Sequence, residues 1–188
     1  MLKALLHSYI RGKLERPFGY DATYLHEIVD ADPITFAKFG VVTGLTNHKA
    51  GPGEAITAAG LVGTLHEDCG PCTQIGVDMA LAAGARPQVL RAILAGDEAA
   101  MGEKAALGYR FAKASLARDL DAADAARSEI LRLWGRKALI AMAMSLTTAR
   151  MYPTLKYALG HGVTCSKVVV AGVAAPFARP LPLVPLAA

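Results

Sequence analysis

The sequence predicts an all-α protein, and three observations carry that prediction. Apolar residues make up 53% of the 188-residue chain and much of that share is alanine, which favours closely packed helices over a sheet. Apolar positions such as Ile56, Ala59, Leu61, Val62 and Leu65 recur near helical spacing, over stretches well beyond the usual strand of about five or six residues. Helix punctuation recurs along the chain, with Asp32-Pro33 and Arg86-Pro87 as starts and Gly84 and Gly96 as stops.

Taken in order, residues 1–15 form a short amphipathic segment closed by Arg16-Pro17-Phe18-Gly19. Asp21 caps a second helix through Tyr24, Leu25 and Ile28, and Asp32-Pro33 starts a third with Phe36, Phe39 and Val42 inward. Residues 53–68 form the helix that enters Cys69-Gly70-Pro71-Cys72, and Pro71 suits the first turn of the next helix, where no intrahelical N–H is needed. That helix runs to Gly84-Ala85-Arg86-Pro87, and a short one follows as far as Gly96-Asp97. Two longer segments, 98–119 and 122–149, are split by Asp119-Leu120-Asp121, and Pro153 predicts a break near Met151. Only Val168-Val169-Val170 reads as a strand. Tyr109, Phe111, Trp134, Met142, Met144 and Met151 read as core or subunit contact. A single helical domain over 1–175 is expected, with 176–188 a tail made extended by Pro176, Pro180, Pro182 and Pro185.

Composition narrows the function. Net charge is +4, but Lys and Arg are scattered among acids without a basic stripe, so no nucleic-acid partner is expected. Mean hydropathy is high at +0.32, yet no apolar run reaches the roughly 18 residues that a membrane helix needs. The chain therefore reads as soluble and oligomeric, with no membrane partner. Met1 to Lys13 has too short an apolar core for a secretory signal, and with three cysteines a reducing cytoplasm is the expected location. No Gly-rich phosphate loop and no internal repeat is visible, and no cofactor is expected.

Cys69-Gly70-Pro71-Cys72 points to thiol redox chemistry, because two thiols one turn apart can close and reopen a small disulfide ring. Placed at a helix start, they meet the positive end of the dipole, where thiolate is favoured. The dipole supplies roughly 0.3–1 kcal/mol, and a tenfold gain in thiolate takes about 1.36 kcal/mol, so a further donor or base is required. Glu67 and Asp68 immediately upstream oppose ionisation. His66 is the nearest candidate base, and Glu67 or Glu54 could form the carboxyl end of a proton relay. Each also has a plainer reading, as the wet side of the preceding helix. Asp78 and Gln74 make a narrow polar stripe on the helix after the dithiol, read as a wet face or as a partner for Arg110 or Arg150. A metal site formed by His66, Cys69 and Cys72 with His161 or Cys165 has compact spacing, but a single Cys-x-x-Cys is weak evidence for zinc.

The helix ending in Leu65-His66-Glu67-Asp68-Cys69-Gly70-Pro71-Cys72, followed by Met79-Ala80-Leu81-Ala82-Ala83-Gly84-Ala85 and Arg86-Pro87-Gln88-Val89-Leu90-Arg91-Ala92-Ile93-Leu94, resembles the carboxymuconolactone decarboxylase-like superfamily. Within it, the paired cysteines are closer to the alkylhydroperoxidase-D-like redox branch, over about residues 40–115. The resemblance implies a helical fold assembling as trimers or hexamers, with the Cys-x-x-Cys at the N-terminus of a buried helix. It also implies peroxide reduction or dithiol–disulfide exchange, with a protein or small-thiol reductant. In that branch the second cysteine, matching Cys72, attacks the peroxide and the first, matching Cys69, resolves it. The branch's histidine and glutamate, which activate the attacking cysteine, are replaced here by Gly76 and Thr57.

Cys-Gly-Pro-Cys is also the thioredoxin dithiol sequence, and Tyr152-Pro153-Thr154-Leu155-Lys156 is similar to the segment that carries thioredoxin's cis-proline. Against this, Asp68 stands where thioredoxins carry tryptophan, the segment before the dithiol reads as helix, and no βαβ alternation is visible. From another class, the chain reads as a non-catalytic helical oligomer whose cysteines hold a metal or sense redox state.

Overall fold

The computed structural model describes residues 1–164 and 167–177. Helix α1 (Leu2–Ile10) passes through a π-helical turn (Arg11–Glu15) into α2 (Arg16–Phe18), and Gly19, at φ 59°, ends the run. Asp21 starts α3 (Thr23–Ala31) from just outside it, accepting from the Thr23 N–H at 3.0 Å and the Thr23 hydroxyl at 2.6 Å. Asp32 caps α4 (Pro33–Gly40), with Oδ1 accepting from the N–H groups of Ile34 and Thr35, each at 3.0 Å. Ile10, Tyr20, Tyr24, Leu25, Val29 and Phe36 enclose a small apolar cluster, bounded on the side of the main bundle by Ile75, Tyr152 and Leu155.

The main bundle is built around α5 (Gly53–His66), whose residues 55, 56, 58, 59 and 61–65 are buried. A helix buried on nearly every side has no wet face to contrast with a dry one. Around it pack α6 (Gly70–Ala82), α7 (Pro87–Ala95), α9 (Glu103–Ala117) and α10 (Leu120–Ala158), while α8 (Glu98–Met101) is a single turn before α9. Small residues make this close approach feasible. A Cβ on Gly108 would lie 2.7 Å from the Ala55 Cα, and one on Gly63 would lie 2.9 Å from the Leu146 carbonyl oxygen. Ser145 uses the same proximity to donate from its hydroxyl to the Ile56 carbonyl at 2.9 Å.

Two expectations about the long helices are corrected. Segment 98–119 is divided into α8 and α9 at Gly102, which has φ 74°. Pro153 does not break the last helix: α10 runs through it to Ala158, and the interruption lies at Gly135, with φ 77° and ψ 177°. Proline removes one hydrogen bond, whereas a left-handed φ breaks the helical path itself. Burial of Pro153, beside Tyr152 and Leu155 on the N-terminal cluster, holds that turn in place.

Val168–Val170 is a strand, β1, as expected. It pairs antiparallel with β2 (Val173–Ala175), which the sequence reading lacked, with Val168 opposite Ala175. Ala171 and Gly172 turn the chain with φ of 50° and 79°, the paired positive values of a tight hairpin. Val168, Val170 and Ala175 are buried in the main core. Helices account for 75% of the structure and the hairpin is its sheet, so the architecture is a mostly helical bundle. Pro180, Pro182 and Pro185 of the expected tail lie outside the described residues. Among those described, no helix is long and apolar enough to cross a membrane.

Candidate functional site

Helix α5 ends at His66, and Asp68 turns the chain with φ 49°, a left-handed conformation that aspartate tolerates better than most residues. Tyr157, on α10, braces this turn by donating its hydroxyl proton to the Asp68 carbonyl at 3.0 Å. Cys69 follows in extended conformation as the N-cap of α6. Its carbonyl accepts from the Thr73 N–H and hydroxyl, both at 2.9 Å. On the outer side, Cys69 forms an isolated antiparallel bridge with Thr164, and the Gly70 N–H donates to the Val163 carbonyl at 3.2 Å. Residues 163–164 therefore lie across the start of α6.

Cys69 and Cys72 are joined as a disulfide, with Cα atoms 5.3 Å apart. Cys69 is 0% exposed and Cys72 is 4% exposed. The Cys72 N–H donates to the Cys69 sulfur at 3.4 Å, so the sulfur takes the place of the side-chain oxygen that usually satisfies a first-turn amide.

The structure brings the two cysteines together and pairs two of the three proposed relay residues with arginines. His66 is exposed in the last turn of α5, without a hydrogen-bonding side chain against it among the described residues. Glu67 is half-buried, and its Oε1 accepts from Arg150 Nε at 2.5 Å, so its charge is offset by a guanidinium. Glu54 lies in the first turn of α5, where it accepts from Arg86 Nε at 2.9 Å. At about 1.5 Å of rise per residue, that is roughly 18 Å along the helix from His66. At the place of the family's histidine, a Cβ on Gly76 would meet Leu61 Cδ2 at 3.1 Å. Beside α6 at that level stands hydrocarbon rather than an acid or a base.

The polar stripe on α6 has a different partner from either arginine proposed. Gln74 Nε2 donates to Asp78 Oδ1 and to the Val169 carbonyl, each at 2.9 Å, and its Oε1 accepts from the Val169 N–H at 2.7 Å. Arg110 pairs instead with Glu98 at 3.6 Å. Gln74 thus clamps β1 onto α6, a role whose one signal in the sequence was a polar residue on an otherwise apolar helix.

His161 meets Glu27 on α3 at 2.9 Å. Cys165 lies outside the described residues. Among those described, no three His, Cys, Asp or Glu side chains are grouped to hold a metal. The thioredoxin-like alternative is not the fold adopted, because a helix enters the dithiol, Pro153 sits inside α10, and the described sheet is one hairpin. A concavity of about 410 Å³ between α9 and α10, lined by Leu107, Arg110, Lys113, Asp119 and Glu129, shares no residue with the dithiol.

One buried charge escaped the sequence reading. Lys156 is 2% exposed, with Nζ 5.1 and 5.2 Å from the ring centres of Tyr20 and Tyr24. Burial lowers its pKa, opposed by the negative charge of Asp21. Burial likewise raises the phenols of Tyr20 and Tyr24, and pushes that of Tyr152 up to about 12.

No family model matches the chain, and no curated protein or solved structure does either. The likeness to the alkylhydroperoxidase-D-like branch rests on the sequence motif.

Proposed function

We propose that the chain is a thiol-dependent oxidoreductase whose Cys69/Cys72 pair cycles between dithiol and disulfide while reducing a peroxide or a small disulfide. The observation that carries this reading is the closed Cys69–Cys72 ring at the first turn of α6, with a helix amide donated to one sulfur. Near-complete burial favours a small oxidant over a folded protein disulfide, which must reach sulfur in order to exchange.

The two sulfurs divide the work. We assign the attack to Cys72, which matches the attacking cysteine of the redox branch that the motif resembles and is 4% exposed against 0% for Cys69. The Cys72 thiolate attacks one peroxide oxygen, the O–O bond breaks, the alkoxide leaves with a proton as alcohol, and sulfur becomes a sulfenic acid. The Cys69 thiolate then attacks that sulfur, forming the disulfide and expelling hydroxide, which takes up the proton given up by the Cys69 thiol and leaves as water. The dithiol has given two electrons to the peroxide. A small external dithiol, under the same limit of access, restores the pair by attacking Cys72 sulfur, with Cys69 leaving as a thiolate stabilised by the Cys72 amide. A better-stabilised leaving thiolate leaves faster. A reducing cytoplasm would supply that dithiol. Self-assembly belongs to the same reading, supported by Ile140, Met144 and Met151 exposed on α10.

Peroxide added to reduced protein should protect both thiols from labelling, with loss of two protons by mass spectrometry. Cys72→Ser should abolish peroxide consumption, at least 100-fold given the loss of the nucleophile. Cys69→Ser should accumulate a Cys72 sulfenic acid that dimedone traps. If peroxide and small disulfides both leave the thiols fully labelled, the proposal fails.

A further inference from the structure

A chain of four side chains ties α1 to α3 well apart in sequence from the dithiol. His7 of α1 and His26 of α3 place their Nδ1 atoms 2.6 Å apart, with ring centres 4.8 Å apart and planes inclined by 27°, so the rings meet edge to edge. The other nitrogen of each ring faces a carboxylate: His7 Nε2 meets Asp30 Oδ1 at 2.9 Å, and His26 Nε2 meets Glu15 Oε1 at 3.0 Å. Lys3 Nζ donates to the backbone carbonyl of Asp30 at 2.6 Å, which leaves the carboxylate to the imidazole.

An ionised carboxylate only accepts, so each Nε2 carries the ring proton it donates. The two Nδ1 atoms stand 2.6 Å apart, at hydrogen-bond distance, with at most one proton between two lone pairs that face one another. Such an arrangement needs an electrophile between them. A carboxylate on the far nitrogen is also what orients imidazoles that ligate metals, fixing the tautomer and raising the basicity of the ligating nitrogen.

From this geometry we infer that His7 Nδ1 and His26 Nδ1 bind a divalent transition-metal ion that prefers imidazole, with zinc as the representative. Asp30 and Glu15 are the outer groups that hold the two rings. Zinc–nitrogen distances of about 2.0–2.1 Å at a tetrahedral angle place two nitrogens about 3.4 Å apart, so the pair opens by roughly 0.8 Å on binding. The His7 and His26 side chains are 18% and 21% exposed, which leaves the remaining coordination positions to water. The site is independent of the redox reading and uses none of its residues.

The test is titration of zinc into the full chain, with the Cys69–Cys72 disulfide closed and remaining thiols alkylated, read by calorimetry and by NMR of the ring nitrogens. One ion per chain should bind, shifting Nδ1 of His7 and His26 while both Nε2 atoms keep their protons. His7→Ala and His26→Ala should each weaken binding at least tenfold, and Asp30→Asn should weaken it by about 10–100-fold. No uptake at millimolar zinc overturns the site. So does uptake unchanged in the histidine variants, which marks other surface histidines, and so does a proton that stays between the Nδ1 atoms in excess zinc. Should the alanine variants unfold, the ring-nitrogen shifts of the unsubstituted chain decide.

Discussion

Lys156 carries an ammonium group into a cluster of phenol rings, and its titration couples to folding. Its folded-state pKa lies below the ordinary 10.5 because burial disfavours the charge. Between the lowered value and 10.5 the unfolded chain holds a proton that the folded chain has released, so stability rises with pH across that window. Tyr20, Tyr24 and Tyr152 act in the opposite sense. Their folded values are raised above 10.0, so above that pH the unfolded chain ionises first and stability falls. Lys156→Met should raise the urea midpoint at pH 7 and remove the rise toward pH 10.5, leaving the alkaline fall in place; a parallel profile in the variant would sink this account. The sequence offered Lys156 only as a member of a Tyr-Pro-Thr-Leu-Lys segment, since its burial depends on two tyrosines more than 130 residues away. Asp32, by contrast, was legible as a cap, because capping needs only the next three residues.

At the scale of elements, local rules predicted what local contacts decide. Pro71 at the start of α6 and Gly96 at the end of α7 stand where their backbone chemistry puts them. The kink at Gly135 and the strand β2 escaped, because a glycine within an alanine-rich run and three small residues after a turn take meaning only from what they pack against. Gln74 is the clearest instance: its partner, Val169, is 95 positions away. Loss of its two bonds to the strand backbone should cost about 1–3 kcal/mol. Gln74→Ala should therefore speed hydrogen exchange at the Val169 amide, and speed labelling of the reduced thiols if loosening of β1 reaches the nearby bridge of Thr164 to Cys69. Unchanged protection at Val169 would show that core burial of Val168 and Val170 holds the hairpin without the clamp.

For the whole molecule, a redox cycle requires that the fold survive in both states. A ring closed across four residues removes little chain entropy, about 2 kcal/mol by the loop-closure relation. Most of the core lies on α5, α7, α9 and α10, away from the disulfide. Reduction of Cys69–Cys72 should therefore leave the far-ultraviolet circular dichroism unchanged and lower Tm by roughly 4–8 °C. Collapse of the helical signal on reduction would make the bond a structural staple instead. The helical class was visible at this scale from alanine content and spacing. The place of Glu54 was not, because it is close to the dithiol in sequence but stands at the opposite end of α5, paired with Arg86.

The bridge between Cys69 and Thr164 also sets an order of events during synthesis. The thiols leave the ribosome roughly ninety residues before the strip that shields them, a delay of about 5–20 seconds at ordinary elongation rates. Throughout that interval the nascent dithiol lacks the backbone bridge to Thr164, so its exchange with surrounding oxidants and reductants can begin before the fold is complete.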